Sequence, residues 1–283
     1  MAGEPGGVEI VARRARLVRG LLVTWACVIY IFLFSPIVLL ILLSFNKNPF
    51  GTFPITGWTM HWFSSIANSP ELQAAIKTSL RVALEVTLIS TVVGTAAAFS
   101  LVRSRLRFRT AFRIVFTLPI MIPGVLIGVS LLSFCRQVLG IPLSTETVVI
   151  GQSVYTTPFV LLIVASRLEG FDRSLERAAS DLGANAVRTF RYVILPIIAP
   201  AVFAGALFAF TLSLDEFVIT FFIIGPEVTL PIYIYTQIKF GITPEVNALA
   251  SVLLAGSLTL LALAFGLPQL VRATRKALKA RTA

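Results

Sequence analysis

A chain of 283 residues with 57% hydrophobic and only 13% charged side chains lacks the polar surface that a water-soluble domain of this size requires. The mean hydropathy of +0.90 agrees, and the net charge of +11 does not make a nucleic-acid surface, because the basic residues sit between apolar blocks instead of interleaving with aromatics. A single histidine, His61, argues against a histidine-rich metal site, and no Gly-x-x-x-x-Gly-Lys-Ser/Thr phosphate loop occurs, so ATP chemistry is not expected on this chain.

In chain order, six apolar stretches are long enough to cross about 30 Å of hydrocarbon as helices: 20–45, 78–102, 114–135, 147–166, 195–224 and 247–271. The first follows Arg13, Arg14, Arg16 and Arg19, like a signal peptide, but it is too long for one and lacks a small-residue cleavage site, so it reads as a retained span. Arg103, Arg105, Arg107, Arg109 and Arg113 follow the second span; Arg167, Arg173, Arg177, Arg188 and Arg191 follow the fourth; Arg272, Arg275, Lys276, Lys279 and Arg281 end the chain. The positive-inside rule places all of these, with both termini, in the cytoplasm. The expected organisation is a cytoplasmic segment 1–19, a six-span all-α membrane domain 20–271 with a long cytoplasmic loop 167–193, and a basic tail 272–283.

Between the first two spans, Trp58, Trp62 and Phe63 among Pro49, Pro54 and Pro70 suggest an interfacial anchor. Cys27 and Cys135 fall in or beside apolar spans and read as plain thiols. In the second span, Arg81 and Glu85 have the spacing of a helical ion pair.

The loop after the fourth span carries the more specific signal. Leu175, Ala178, Ala179 and Leu182 recur at helical spacing, with Glu176, Arg177, Ser180 and Asp181 on the rest of the turn. Gly183 is placed to end that helix in a left-handed conformation, and Asn185 to cap the next, which runs toward Leu195 and Pro196. Small outward-facing alanines admit a partner's surface at close range; an interfacial helix lying on lipid fits the periodicity equally well.

Read as Arg177-Ala-Ala-x-x-x-Gly183 and then Val193-x-Leu195-Pro196, this stretch resembles the EAA loop of binding-protein-dependent ABC transporter permeases. It departs where the family's first Glu aligns with Arg177, Glu176 lying one residue upstream. Ser166-Arg-Leu-Glu-Gly-Phe-Asp172, Asp181-Leu-Gly-Ala184, Phe210-Thr-Leu-Ser-Leu-Asp-Glu216 and Pro244-Glu-Val-Asn-Ala-Leu-Ala250 are similar to the permease subunits of spermidine and putrescine importers. The resemblance implies a type I importer fold, MetI-like with cytoplasmic coupling helices, in a bacterial inner membrane. It also implies a second, homologous permease, a cytosolic ATPase dimer holding ATP and magnesium, and an extracytoplasmic binding protein. On it, Glu176, Arg177, Ala178, Ala179, Asp181, Gly183, Leu195 and Pro196 form the ATPase-coupling element. No cofactor is expected on this chain itself, and lipid, not nucleic acid, is its surroundings.

Asp215 and Glu216 lie in the fifth apolar stretch, where ionised carboxylates cost several kcal/mol unless paired or hydrated. Either they line an aqueous route for a cation, with Phe210 and Phe217, Phe221, Tyr233 and Tyr235 as aromatic walls, or they pair with a neighbouring subunit or sit at the outer interface. Adjacent helical residues diverge by about 100°, so the two cannot both face one narrow pore. A polyamine is the expected cargo; another small cation or organic solute carried by the same kind of permease, or a stand-alone secondary transporter, are the competing readings.

Overall fold

The computed structural model describes residues 6–50, 54–103, 108–239, 241 and 243–259, and over 6–16 only the path of the backbone. Outside these residues lie Arg105 and Arg107, the end of the expected sixth span, the whole of 272–283, and the side chains of Arg13, Arg14 and Arg16. Among the described residues, four helical stretches are long and apolar enough to cross a membrane: Leu17–Ser44, Pro70–Arg103, Thr145–Glu169 and Ala186–Asp215. A fifth candidate is the pair Arg109–Met121 and Gly124–Val138, bent by 100°. A further helix covers 244–259, within the expected sixth span.

The described chain divides into two compact units, 1–69 with 237–283, and 70–236. The first contains α1 (Gly6–Ser44) and α2 (His61–Ala67). Side chains 17–39 of α1 are exposed all round, Trp25 and Phe32 among them, as expected of a helix whose solvent is hydrocarbon. After α1 the chain doubles back: Lys47 N donates to Gly57 O (2.9 Å), Thr59 N to Phe45 O (2.8 Å) and the Trp62 indole to Asn46 O (2.8 Å). The aromatic stretch expected to be an interfacial anchor forms a hydrogen-bonded turn that leads into α2.

The second unit is built on α3 (Pro70–Arg103), α6 (Thr145–Glu169) and α9 (Leu195–Asp215). Their meeting point is set by small residues. A Cβ placed on Gly94 of α3 would lie 2.8 Å from Val160 Cβ, closer than side chains pack, and one on Gly205 of α9 would lie 3.2 Å from Val160 Cγ1, a tight contact, so both helices approach the same turn of α6 closely. Ala98, Leu101, Leu161, Val164 and Ile198 fill the core on one side of this junction. Val82, Val86 and Val148 of α3 and α6, with Ile219 and Ile223, form a second cluster beyond it. Between the clusters Ser90 and Thr156 hydroxyls meet at 2.5 Å, satisfying a polar pair that hydrocarbon would otherwise penalise.

Two of the six expected spans differ from continuous helices. The stretch 114–135 is α4 (Arg109–Met121) and α5 (Gly124–Ser133), separated by extended Ile122 and Pro123; proline lacks an N–H and disfavours helical backbone in the residue before it. The stretch 195–224 ends as a helix at Asp215, with Glu216 extended (ψ 108°), and resumes as α10 (Val218–Ile223). Asp215 and Glu216 thus sit at a break rather than inside a span. An uninterrupted apolar run conceals both features, because hydropathy does not register backbone direction.

Candidate functional site

After α6 the chain forms α7 (Ser174–Asp181), a bend, α8 (Ala186–Thr189) and a π-helical turn, Phe190–Ile194, that runs into α9. Asp172 starts α7: its carboxylate accepts the Ser174 N–H (2.8 Å) and hydroxyl (2.7 Å), and these bonds hold its pKa below the usual carboxylate range. A carboxyl shifted downward contributes stability that is present above its unfolded value and lost only as pH falls through the folded one, so these bonds are intact at neutral pH.

The far end of α7 closes as a Schellman motif. Ala184 N donates to Ala179 O (3.0 Å) and Gly183 N to Ser180 O (2.9 Å), with Gly183 at φ +81°. Two residues on, the Asn185 side chain accepts Arg188 N (2.9 Å) and caps α8. The expected helix, glycine bend and capped second helix are all present. No residue of α7 is buried; Leu182 is 88% and Val187 72% exposed, and Leu175, Arg177 and Ala178 are exposed beside them. Asp181, Leu195 and Pro196 are exposed too, whereas Ala179 is half-buried.

One member of the expected set faces inward. Glu176 Oε1 lies 2.5 Å from Nη2 of Arg103, at the end of α3, with side-chain exposures of 28% and 8%. The Arg103 guanidinium also lies over the Phe171 ring, 4.7 Å from its centre, and Arg173 donates to Val102 O (3.3 Å). The loop is thereby fastened to α3 through charge and stacking, and to α9 through unbroken backbone. Glu176 borders a cavity of about 950 Å³ along α3, whose walls include Thr91, Thr95, Phe99, Val187 and Val202.

At the other carboxylate pair the two residues divide. Asp215 ends α9 with its side chain exposed. Glu216 folds back on α10: Oε1 accepts Ile219 N (3.0 Å), and Oε2 accepts both Thr220 N and the Thr220 hydroxyl (3.0 Å each). Phe217 meets Tyr235 (ring centres 4.9 Å apart) and Phe221 (5.4 Å). Phe210, half-buried in α9, shares none of the ring contacts among the described residues. Arg81 and Glu85 form the expected i to i+4 pair at 2.9 Å; both are substantially exposed, so it adds little stability.

The family model for the inner membrane component of binding-protein-dependent transport systems matches residues 90–279. The chain belongs to this family. It is thus the permease component of an ABC importer, a multi-pass membrane subunit separate from the ATPase. Among curated relatives, the spermidine/putrescine transport system permease protein PotC of Escherichia coli strain K12 is 38% identical over 246 residues, covering 87% of this chain and 91% of that protein. The putrescine transport system permease protein PotI of the same strain is 35% identical, covering 80% and 82%. The fold is shared with a chain of a bacterial ABC transporter that imports alginate (TM-score 0.70, 13% identity, 88% of this chain and 95% of that one). It is shared also with a chain of the MetNI methionine ABC transporter (TM-score 0.53, 18% identity, 72% and 98%). In a permease of this family, the segment from Asp172 to Ile194 is a surface-exposed module fixed to two spanning helices, and the break at Glu216 is the one place in the fifth span where a carboxylate is left exposed.

Proposed function

We propose that this permease carries polyamines of the putrescine and spermidine type, with Asp215 meeting an ammonium group on the translocation route. The observation that carries this reading is the division of labour at the helix break: Glu216 is occupied in capping α10 while Asp215 stays exposed, two residues before the aromatic group of Phe217, Phe221 and Tyr235. A carboxylate with aromatic walls suits ammonium groups spaced along an aliphatic chain. The names of the PotC and PotI relatives support the same cargo.

In this reading the extracytoplasmic binding protein delivers the cation and a second, homologous permease completes the route. Two cytosolic ATPase subunits, which hold ATP and magnesium, grip the exposed face of α7 around Leu182 and Gly183. Both termini and the coupling loop lie in the cytoplasm.

Competition uptake in whole cells tests the cargo assignment. Asp215→Asn is expected to raise the KM for putrescine and spermidine about tenfold, the worth of a lost charge-assisted contact, with much smaller change for Phe210→Leu. Normal polyamine uptake by both Asp215→Asn and Glu216→Gln would remove the carboxylate from the route.

A further inference from the structure

Gln152 is 1% exposed on α6, and its amide is used from both ends. Its Oε1 accepts the Ser213 hydroxyl, near the end of α9. Its Nε2 donates to Thr220 Oγ1 (2.7 Å) at the start of α10, and that hydroxyl in turn donates to Glu216. The bonds run in one direction, from Ser213 through Gln152 and Thr220 to Glu216, whose carboxylate (3.0 Å) and main-chain carbonyl (3.1 Å) both lie within reach of the Thr220 hydroxyl, an arrangement in which each bond polarises the next. The two helices joined by the break are therefore both tied to a single side chain of a third helix.

We propose that Gln152 is the positioning residue of the translocation route: it holds the break between α9 and α10 in the form that keeps Glu216 folded onto α10 and Asp215 presented alone. The proposal rests on the polyamine reading above for its consequence in transport, but not for its geometry. Without the amide, Ser213 and Thr220 lose their shared partner, Thr220 is free to turn from Glu216, and the two adjacent carboxylates compete for the same cation. Apolar side chains of similar length preserve the packing of α6 while deleting the clamp.

The test combines uptake kinetics in cells with amide hydrogen exchange on the purified full-length chain. Gln152→Leu is expected to raise the KM for putrescine and spermidine about tenfold, with maximal uptake per assembled complex within about twofold of wild type. It is also expected to speed exchange at Ile219 and Thr220, the amides Glu216 accepts, by about tenfold or more. Thr220→Val removes the same link from the other side and should reproduce both effects if Gln152→Leu fails to accumulate. In the double variant Gln152→Leu with Glu216→Gln, the KM change should not exceed that of the larger single variant, because both act on one unit.

Unchanged exchange at Ile219 and Thr220, or a fall in maximal uptake with KM unaltered, would overturn the proposal and leave Gln152 a packing residue. The two readings separate cleanly. If Asp215→Asn leaves KM unaltered while Gln152→Leu still speeds exchange, the cation route fails and the clamp stands; if Asp215→Asn raises KM while Gln152→Leu changes neither quantity, the clamp alone fails.

Discussion

Gly183→Val is expected to lower ATP-driven uptake more than tenfold without dislodging the rest of the fold. Gly183 adopts φ +81°, and a Cβ there would meet nothing within 4 Å, so the cost of a side chain is conformational and not steric. For an L-residue, left-handed backbone costs about 1–2 kcal/mol, and β-branching makes it worse. Relief comes by unwinding the Schellman closure, which holds Ala184 to Ala179 and Gly183 to Ser180 and so fixes the angle between α7 and α8. The series has an internal control. Asn tolerates this backbone, so uptake should fall in the order glycine, asparagine, alanine, valine, tracking backbone preference and not side-chain volume. Equal uptake by the wild type and the three variants would show that the bend angle carries no part of the coupling.

Arg103→Met is the second large effect. The guanidinium is 8% exposed, and its removal leaves the Glu176 carboxylate, 28% exposed, without its cation on the wall of the cavity. Breaking a buried pair from one side costs about 3–5 kcal/mol where both charges are fully desolvated, and the lower end applies here because Glu176 keeps some solvent. Arg103 also forfeits its stacking on Phe171. Replacing both partners, Arg103→Met with Glu176→Leu, removes the stranded charge and should recover most of the thermal stability of the complex. Uptake should recover less than stability, since the apolar pair restores cohesion but not the directional tie between α7 and α3. Full recovery of uptake in the double variant would mean that only packing matters at this joint.

The parts of this molecule legible in the sequence are those set by local spacing. Gly183 and Asn185 announce the bend and the second helix because a left-handed cap and an N-cap are one-residue decisions, and Arg81 with Glu85 is legible for the same reason. What spacing does not contain is contact between distant segments. The pairing of Glu176 with Arg103 joins α7 to a helix that ended 73 residues earlier, counted from position 103 to 176, and nothing local marks it. The division between Asp215 and Glu216 depends on a helix ending inside an apolar run, for which Leu214 and Phe217 give no sign. The sequence does hold one signal: Gln152 and Ser153, with Thr156 and Thr157 one helical turn on, mark a polar stripe that a spanning helix keeps only when it has partners.

In the proposed assembly the cytosolic ATPase grips the exposed face of α7 at the glycine bend. Site-directed cross-linking of the intact assembly from Leu182→Cys, with Cys27 and Cys135 replaced by alanine, tests it most directly, because Leu182 is 88% exposed next to Gly183. The predicted result is a cross-link to the ATPase subunit whose yield changes when ATP is added. A cross-link to the extracytoplasmic binding protein, or none to the ATPase in an assembly that still transports, would contradict it.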